Sequence, residues 1–401
     1  MTPQFLRVAV VLGLLSAIGP FAIDMYLPAL PSIGADLNAG TAAVQMSLLV
    51  FFLATGLAQI VVGPISDMVG RKTPLFVGLA LFAVGGVGAA LAPTIEWLIA
   101  FRVIQGLGAS AGMVVPRAIV RDLHTGAEAA RLMSLLMLVF SVSPILAPLT
   151  GSLVIDGFGW RAVFWVVTGA AVVAMVLVST ALKETRPAAQ RAESSVRSAL
   201  SGYRFLLGDR HFLGLVSIGG FGVAGFFIYL ANSSFILIDH YGLSPSVYSL
   251  FFSVNAVAFI GMAQLTGLLT ERFGLRRVVR VAATGYVTTM VVLLAIFASG
   301  VDQLYVLASV LFVGFGFLGL VIPTTSVLAM EEHGRIAGTA SALMGTLHLA
   351  IGAVAMAVAG VFFDGTPLPM VAGITISAVI AFTLAQLTLG RRSGKVEAPA
   401  E

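Results

Sequence analysis

Long apolar runs alternate with short polar joints along almost the whole chain, and twelve of the runs are long enough to cross a bilayer. A spanning helix needs roughly 20 mostly apolar residues. The pattern predicts such helices at 5–31, 42–62, 74–92, 95–116, 131–154, 161–182, 211–238, 246–269, 277–299, 303–327, 336–362 and 368–389. Glycine and proline fall inside many of them, which is tolerated where neighbouring helices re-satisfy the freed backbone groups and small residues permit close approach. The one long polar stretch, KETRPAAQRAESSVRSALSGYRFLLGDR at 183–210, holds six basic and three acidic residues. It divides the chain into an N-terminal bundle (1–182), a mobile linker that includes a surface helix (183–210), and a C-terminal bundle (211–401). The expected fold is all-α and membrane-integral, with twelve transmembrane helices in two pseudo-symmetric six-helix bundles.

Composition agrees with that pattern. Apolar residues make up 59% of the chain and charged residues 10%, where a soluble domain carries about a quarter; mean hydropathy is +1.04. Arg7 near the start gives the first segment the look of a signal peptide, but its apolar run is too long for a removable one and no small-residue cleavage site follows. Cysteine is absent, which excludes disulfides and thiol chemistry.

The formal charge of +4 raises the question of nucleic acid, and its distribution answers it. Basic residues gather in alternate joints: Arg71 and Lys72; Arg117, Arg121 and Arg131; Arg272, Arg276, Arg277 and Arg280; Arg335; then Arg391, Arg392 and Lys395. The opposite joints carry Asp36, Glu96, Asp156, Asp239, Asp302 and Asp364, and only Arg102 and Arg161 break the rule. This is the positive-inside signature, with both termini and the linker cytoplasmic. A multi-pass protein of the bacterial inner membrane is expected, with no basic face free for nucleic acid.

A short polar motif recurs between apolar runs. Residues 63–72 read GPISDMVGRK and residues 267–276, 204 positions later, read GLLTERFGLR. Gly63 matches Gly267, Ser66 matches Thr270, Asp67 matches Glu271, Gly70 matches Gly274 and Lys72 matches Arg276. Duplicated halves in a membrane rock against each other around a central site, which points to a transporter.

Two charges lie within predicted helices. Asp24 stands about seven residues before the outer end of the first helix, and Arg102 about seven after the outer start of the fourth, so both lie roughly 10 Å deep. Such charges are costly unless they pair or line a wet cavity. One reading is an ion pair that only stabilises the bundle. The other is a substrate- and proton-responsive site, because burial favours a neutral carboxyl while a nearby guanidinium favours the ionised one. Pro28 and Pro31, in IDMYLPALP at 23–31, bend the helix end.

These stretches carry a resemblance. IDMYLPALP, the 63–72 motif and RVIQGLGAS at 102–110 resemble the major facilitator superfamily, and within it the twelve-helix drug:proton antiporters. SPSVYSLFFSVNAVAFIG at 244–261 and GTASALMGTLHLAIGA at 338–353 are similar to the bicyclomycin- and chloramphenicol-resistance branch (Bcr/CflA). The resemblance implies that the first-half motif latches the cytoplasmic side. In that role Asp67 sits against the positive N-terminus of the helix beginning near Ile336, Gly63 and Gly70 permit close packing and an unusual turn, and Arg71 reaches Asp122. Leu275 stands where a second Arg71 would be, so the second copy is the weaker latch. The stretch SPILAPLTGS at 143–152 resembles the family's antiporter motif, a bend at Pro144, Pro148 and Gly151 that guards against leakage. Ala147 and Ser152 depart from it, and paired prolines kink any helix.

Other polar residues inside the spans, Gln45, Gln59, Gln105, Asn232, Asn255, Gln264, His348 and Gln386, are mostly interhelical glue. Asn232 stands out because helix 7 is the counterpart of helix 1. His348 is either a titrating coupling residue or a hydrogen-bonded packing residue. Tyr26, Phe226, Tyr229 and Phe235 line an aromatic cavity wall, or pack, or face lipid.

The leading reading is a proton-driven, monomeric exporter of small lipophilic drugs, phenicol antibiotics foremost, with protons and the lipid bilayer as partners and no cofactor or metal. The alternative on the same scaffold is a metabolite exporter or importer. An intramembrane enzyme is disfavoured: the chain has no HExxH, GxSxG or GxxxxGK[ST], and a single deeply buried acid is too little for a metal site or two-carboxylate chemistry.

Overall fold

The computed structural model describes residues 3–124, 126–187, 191, 196–331, 333 and 336–390. Arg335, Arg391, Arg392 and Lys395, part of the basic-joint pattern, lie outside them. Among the described residues twelve helices are long and apolar enough to span: Phe5–Asp36, Thr41–Val69, Lys72–Ala90, Ile95–Leu123, Arg131–Phe158, Arg161–Ala181, Arg210–His240, Pro245–Gln264, Leu275–Ala298, Leu304–Glu331, Ala337–Val361 and Pro367–Gly390, called spans 1–12 below. The protein is a multi-pass, all-helical membrane protein.

Several ends differ from the sequence reading. Span 2 continues through the 63–69 segment and breaks only at Gly70, where φ reaches 101°. Span 4 continues through Pro116 to Leu123, which moves Arg117, Arg121 and Asp122 from a joint onto a helix. Polar side chains at the end of a long helix project past the apolar layer without ending the helix. The segment expected at 246–269 divides into span 8 and a short helix, Thr266–Phe273. In the linker, Val196–Gly208 is helical.

Span 1 is interrupted. Its α-helix ends at Asp24, a 3₁₀ turn covers Leu27–Ala29 around Pro28, and Leu30–Asp36 resumes as α-helix from Pro31. The proline ring at position 28 removes an N–H donor and clashes with the preceding turn, so the backbone breaks directly after the buried acid. Span 7 changes from α to π geometry at Phe235–His240.

The first six spans pack on one another, as do the last six, and the halves meet where span 2 lies on span 11 and span 5 on span 8. Away from the linker these seams are tied by hydrogen bonds. Gln45 Nε2 donates to Ala231 O (3.1 Å) and Asn232 Oδ1 (3.0 Å), while Ser249 Oγ donates to Pro148 O and Ser253 Oγ to Ile145 O, each at 2.8 Å. Phe52 stacks on Phe227 with centroids 4.1 Å apart. At the linker end the halves are separated by a cavity of about 510 Å³, walled by Asp67, Arg121 and Asp122 on one side and Ile336, Gly338 and Thr339 on the other. Arg161, an exception to the charge rule, is balanced at the far end: it pairs with Asp36 and donates to Ala92 O.

Candidate functional site

Span 4 carries Arg102 into the first bundle, where it is fully buried. Its guanidinium lies over the rings of Phe51 (4.2 Å to the centroid), Tyr26 (4.7 Å) and Phe164 (5.9 Å). Nη1 donates to Gln105 Oε1 at 2.7 Å and, more weakly, to Ala22 O at 3.4 Å; among the described residues Nε and Nη2 have no hydrogen-bond partner. An aromatic cage of this kind holds a cation through ring quadrupoles instead of a counter-charge. Gln105 sits one helical turn from Arg102 and presents its carbonyl oxygen to it. Tyr26 is fixed by a 2.7 Å hydrogen bond between its hydroxyl and Ser47 Oγ.

Asp24 does not join this cage. It is 6% exposed and forms neither an ion pair nor a hydrogen bond among the described residues, so the expected Asp24–Arg102 pair is absent. Matched depth brings two groups to one layer, but helix rotation decides whether they face each other, and here Arg102 turns toward the aromatic rings. The 3₁₀ turn that follows Asp24 packs against spans 7 and 8 of the other half, where Tyr248 of span 8 is fully buried. The Tyr248 hydroxyl is 3.2 Å from Ser233 Oγ. Gly151 of span 5 lets spans 1 and 5 of the first bundle approach closely beside the acid: a Cβ at that position would stand 2.4 Å from the carbonyl oxygen of Met25, the residue after Asp24. Pro144 and Pro148 lie on the same bend, along the seam with span 8.

The other residues singled out by sequence separate into groups. Asn232 reaches the first half through Gln45 and donates to Ile228 O. Tyr229 stacks on Phe252, meets Phe315 edge-to-face, accepts a hydrogen bond from Asn255 Nδ2 at 3.0 Å, and with Phe226 belongs to an aromatic core inside the second bundle. Phe235 packs on Phe363. His348 places Nε2 at 3.1 Å from Val216 O and packs against Gly219 and Thr325, away from Asp24. Phe51, Ser47, Phe52, Phe227 and Tyr248 were not singled out by the sequence, because an aromatic or serine within an apolar run carries no distinguishing pattern.

The 63–72 segment forms a dense polar cluster. Arg71, 2% exposed, donates to Asp122 through Nε (2.6 Å) and Nη2 (3.0 Å), and through Nη1 to Asp67 (2.7 Å) and Ser66 (2.9 Å). Burial opposes the charge on Arg71, but the carboxylates of Asp122 and Asp67 hold its proton affinity above the ordinary value. Asp67 pairs with Arg71 and with Arg186, at 3.5 Å, and does not touch the start of span 11, which faces it across the 510 Å³ cavity. Two nearer cations satisfy it. Gly63 lines that cavity and accepts a hydrogen bond from Ser66 Oγ. Glu184, unnoticed in the sequence, accepts from the backbone N–H of Arg71 (2.9 Å) and Lys72 (3.1 Å), capping span 3 from the chain beyond span 6.

Residues 12–357 match the family model described as the Major Facilitator Superfamily. The chain is 37% identical over 395 residues to the "Uncharacterized MFS-type transporter YdgK" of Bacillus subtilis (strain 168), covering 97% of this chain and 98% of that one. It is 28% identical to the "Bicyclomycin resistance protein homolog" of Haemophilus influenzae over 86% of each. It is 34% identical to "Multidrug resistance protein MdtL" of Escherichia fergusonii over 59% of this chain and 60% of the relative. Among solved structures, a D-xylose-proton symporter superposes with a TM-score of 0.71 at 16% identity, covering 94% of this chain and 97% of that one, and the nucleoside transporter NupG with 0.75 at 14%, covering 96% and 99%. At those identities the superpositions speak for the fold alone. The sequence match, the twelve spans and the shared architecture make this chain a membrane transporter, not an enzyme, and it belongs to the Major Facilitator Superfamily.

Proposed function

We propose that this protein exports small lipophilic drugs in exchange for protons by alternating access, with phenicol antibiotics as the first candidate class, in the bacterial inner membrane with both termini cytoplasmic. The observation that carries the reading is the setting of Asp24: an acid with no ion pair or hydrogen bond among the described residues, next to a backbone break whose 3₁₀ turn packs against spans 7 and 8 of the other half. The charge state of such a group is strongly coupled to its surroundings, since separation of the halves changes its solvation and its neighbours. Arg102, with two donors unpartnered inside an aromatic cage, supplies a cation and flat apolar walls in the same bundle. That combination suits neutral or amphiphilic molecules bearing a polar acceptor. In this reading Asp24 carries the proton, Arg102, Gln105 and Tyr26 orient the drug, and the Arg71–Asp122–Asp67 cluster stabilises the end of the first bundle that must meet span 11 when the linker side closes. The relatives named for bicyclomycin and multidrug resistance support the direction and the substrate class.

The test is resistance profiling in a hypersensitive, efflux-deficient bacterium expressing the chain, with an uncoupler arm. The reading expects raised tolerance to at least one lipophilic antibiotic that collapses with the proton gradient. Tolerance unaffected by the uncoupler, or none across a broad panel, contradicts it.

A further inference from the structure

The two copies of the recurring motif share their backbone geometry. Ser66 Oγ donates to Gly63 O at 2.8 Å and Thr270 Oγ1 to Gly267 O at 3.0 Å. Gly70 and Gly274 both take left-handed φ, 101° and 79°. They differ in what stands against the glycine. In the first copy it is the Glu184 carboxylate, so close that a Cβ on Gly70 would lie 2.6 Å from Glu184 Oε2. In the second copy a Cβ on Gly274 would meet nothing within 4 Å. That side of Gly274 opens into a cavity of about 760 Å³ among the ends of spans 9, 10 and 12, lined by Arg276, Arg277, Arg280, Glu331, Leu328 and Leu389.

The charge of this cavity favours an anion. Arg280 Nη2 donates to Leu389 O at 2.7 Å, while Arg276 and Arg277 form no ion pair among the described residues. Among the described residues Glu331 is the one acid on the lining, against three guanidinium groups. The lining also carries apolar surface: Phe273, on its edge, is 44% exposed.

We propose that this cavity binds the headgroup phosphate of an anionic phospholipid, set against the second motif as the Glu184 carboxylate is set against the first. Guanidinium forks match phosphate oxygens in pairs, and basic pockets between helix ends at the membrane surface recruit anionic headgroups. Free phosphate has the same headgroup chemistry, but the exposed Phe273 ring on the lining flanks an acyl chain and gives a small ion nothing. The bound lipid ties spans 9, 10 and 12 together on the half that lacks the Arg71–Asp122 pairing.

Native mass spectrometry of the full chain in neutral detergent, titrated with phosphatidylglycerol and separately with phosphatidylcholine, tests this. The proposal expects retained phosphatidylglycerol in preference to phosphatidylcholine, and affinity about 25-fold weaker in Arg276→Gln/Arg277→Gln. Among the described residues neither side chain makes a hydrogen bond, Arg277 lies 5.9 Å from the Phe273 ring, and Arg276→Gln alone, expected to lose about fivefold, serves if the double variant does not purify. Neutralising Arg204 and Arg210 on the linker side of span 7 should leave binding unchanged. Equal retention of the two lipids, equal binding by the variants, or displacement of phosphatidylglycerol by inorganic phosphate overturns the proposal.

Discussion

The carboxylate of Glu184 rests on the backbone of Gly70, with Glu184 Oε1 2.9 Å from the N–H of Arg71. The contact needs both the left-handed φ of Gly70 and the missing Cβ. Gly70→Ala is therefore expected to cost about 1–3 kcal/mol from backbone strain plus displacement of the cap. Gly274→Ala, strained but facing open space, should cost less. Thermal unfolding midpoints in detergent compare them, and equal losses would show that the Glu184 contact adds nothing.

The same contact makes a pH prediction. Burial raises the proton affinity of Glu184, but the N–H groups of Arg71, Arg186 and Lys72, with Arg191 nearby, outweigh it and hold the carboxyl below the usual glutamate range. A depressed folded-state value means the contribution is fully present above the unfolded value, about 4.3, and is lost as pH falls through the lower folded one. Midpoints measured from about pH 6 to pH 3 should fall more steeply for the unmodified protein than for Glu184→Gln. Parallel curves would contradict this.

How much of this was legible differs by feature. Twelve spans follow from run length because a bilayer imposes one dimension on every helix. The ends of spans 2 and 4 were misread because hydropathy registers the edge of the apolar layer, while the helix continues to Gly70 and Leu123. Arg71 and Asp122 could be matched because both lie on short, strongly polar segments flanking the same bundle end. Glu184 lies 113 residues beyond Arg71 in a linker full of charge, where no spacing distinguishes it. The depth of Asp24 and Arg102 was readable, but their facing was not: rotation about each helix axis is set by packing, and the rings of Tyr26 and Phe51 captured the guanidinium.

The ties across the far seam should set the balance between states. Gln45→Ala removes two hydrogen bonds to span 7, each worth about 1 kcal/mol or less in a membrane. At an average of ~0.6 kcal/mol per bond the population open at that end should rise about eightfold, and by no more than about thirtyfold. Spin labels at Asn38 and Val301, on opposite halves at that end, should show a longer-distance component gaining weight; an unchanged distribution would mean these bonds do not hold the seam.

Arg102 tests the aromatic cage. Arg102→Ala should abolish resistance, and Arg102→Lys should restore only part of it, since an ammonium cannot stack flat between Phe51 and Tyr26. Full activity in Arg102→Ala at equal membrane abundance would remove it from the site.

In the proposed cycle Asp24 exchanges its proton for the drug. Proton release from the purified transporter on adding chloramphenicol, followed with a pH indicator in weakly buffered detergent at several pH values, measures this directly. The expected result is close to one proton released per chain by the unmodified protein in its responsive pH range, and none by Asp24→Asn, which folds and reaches the membrane but has no proton to give. Undiminished release and resistance in Asp24→Asn would place the coupling elsewhere.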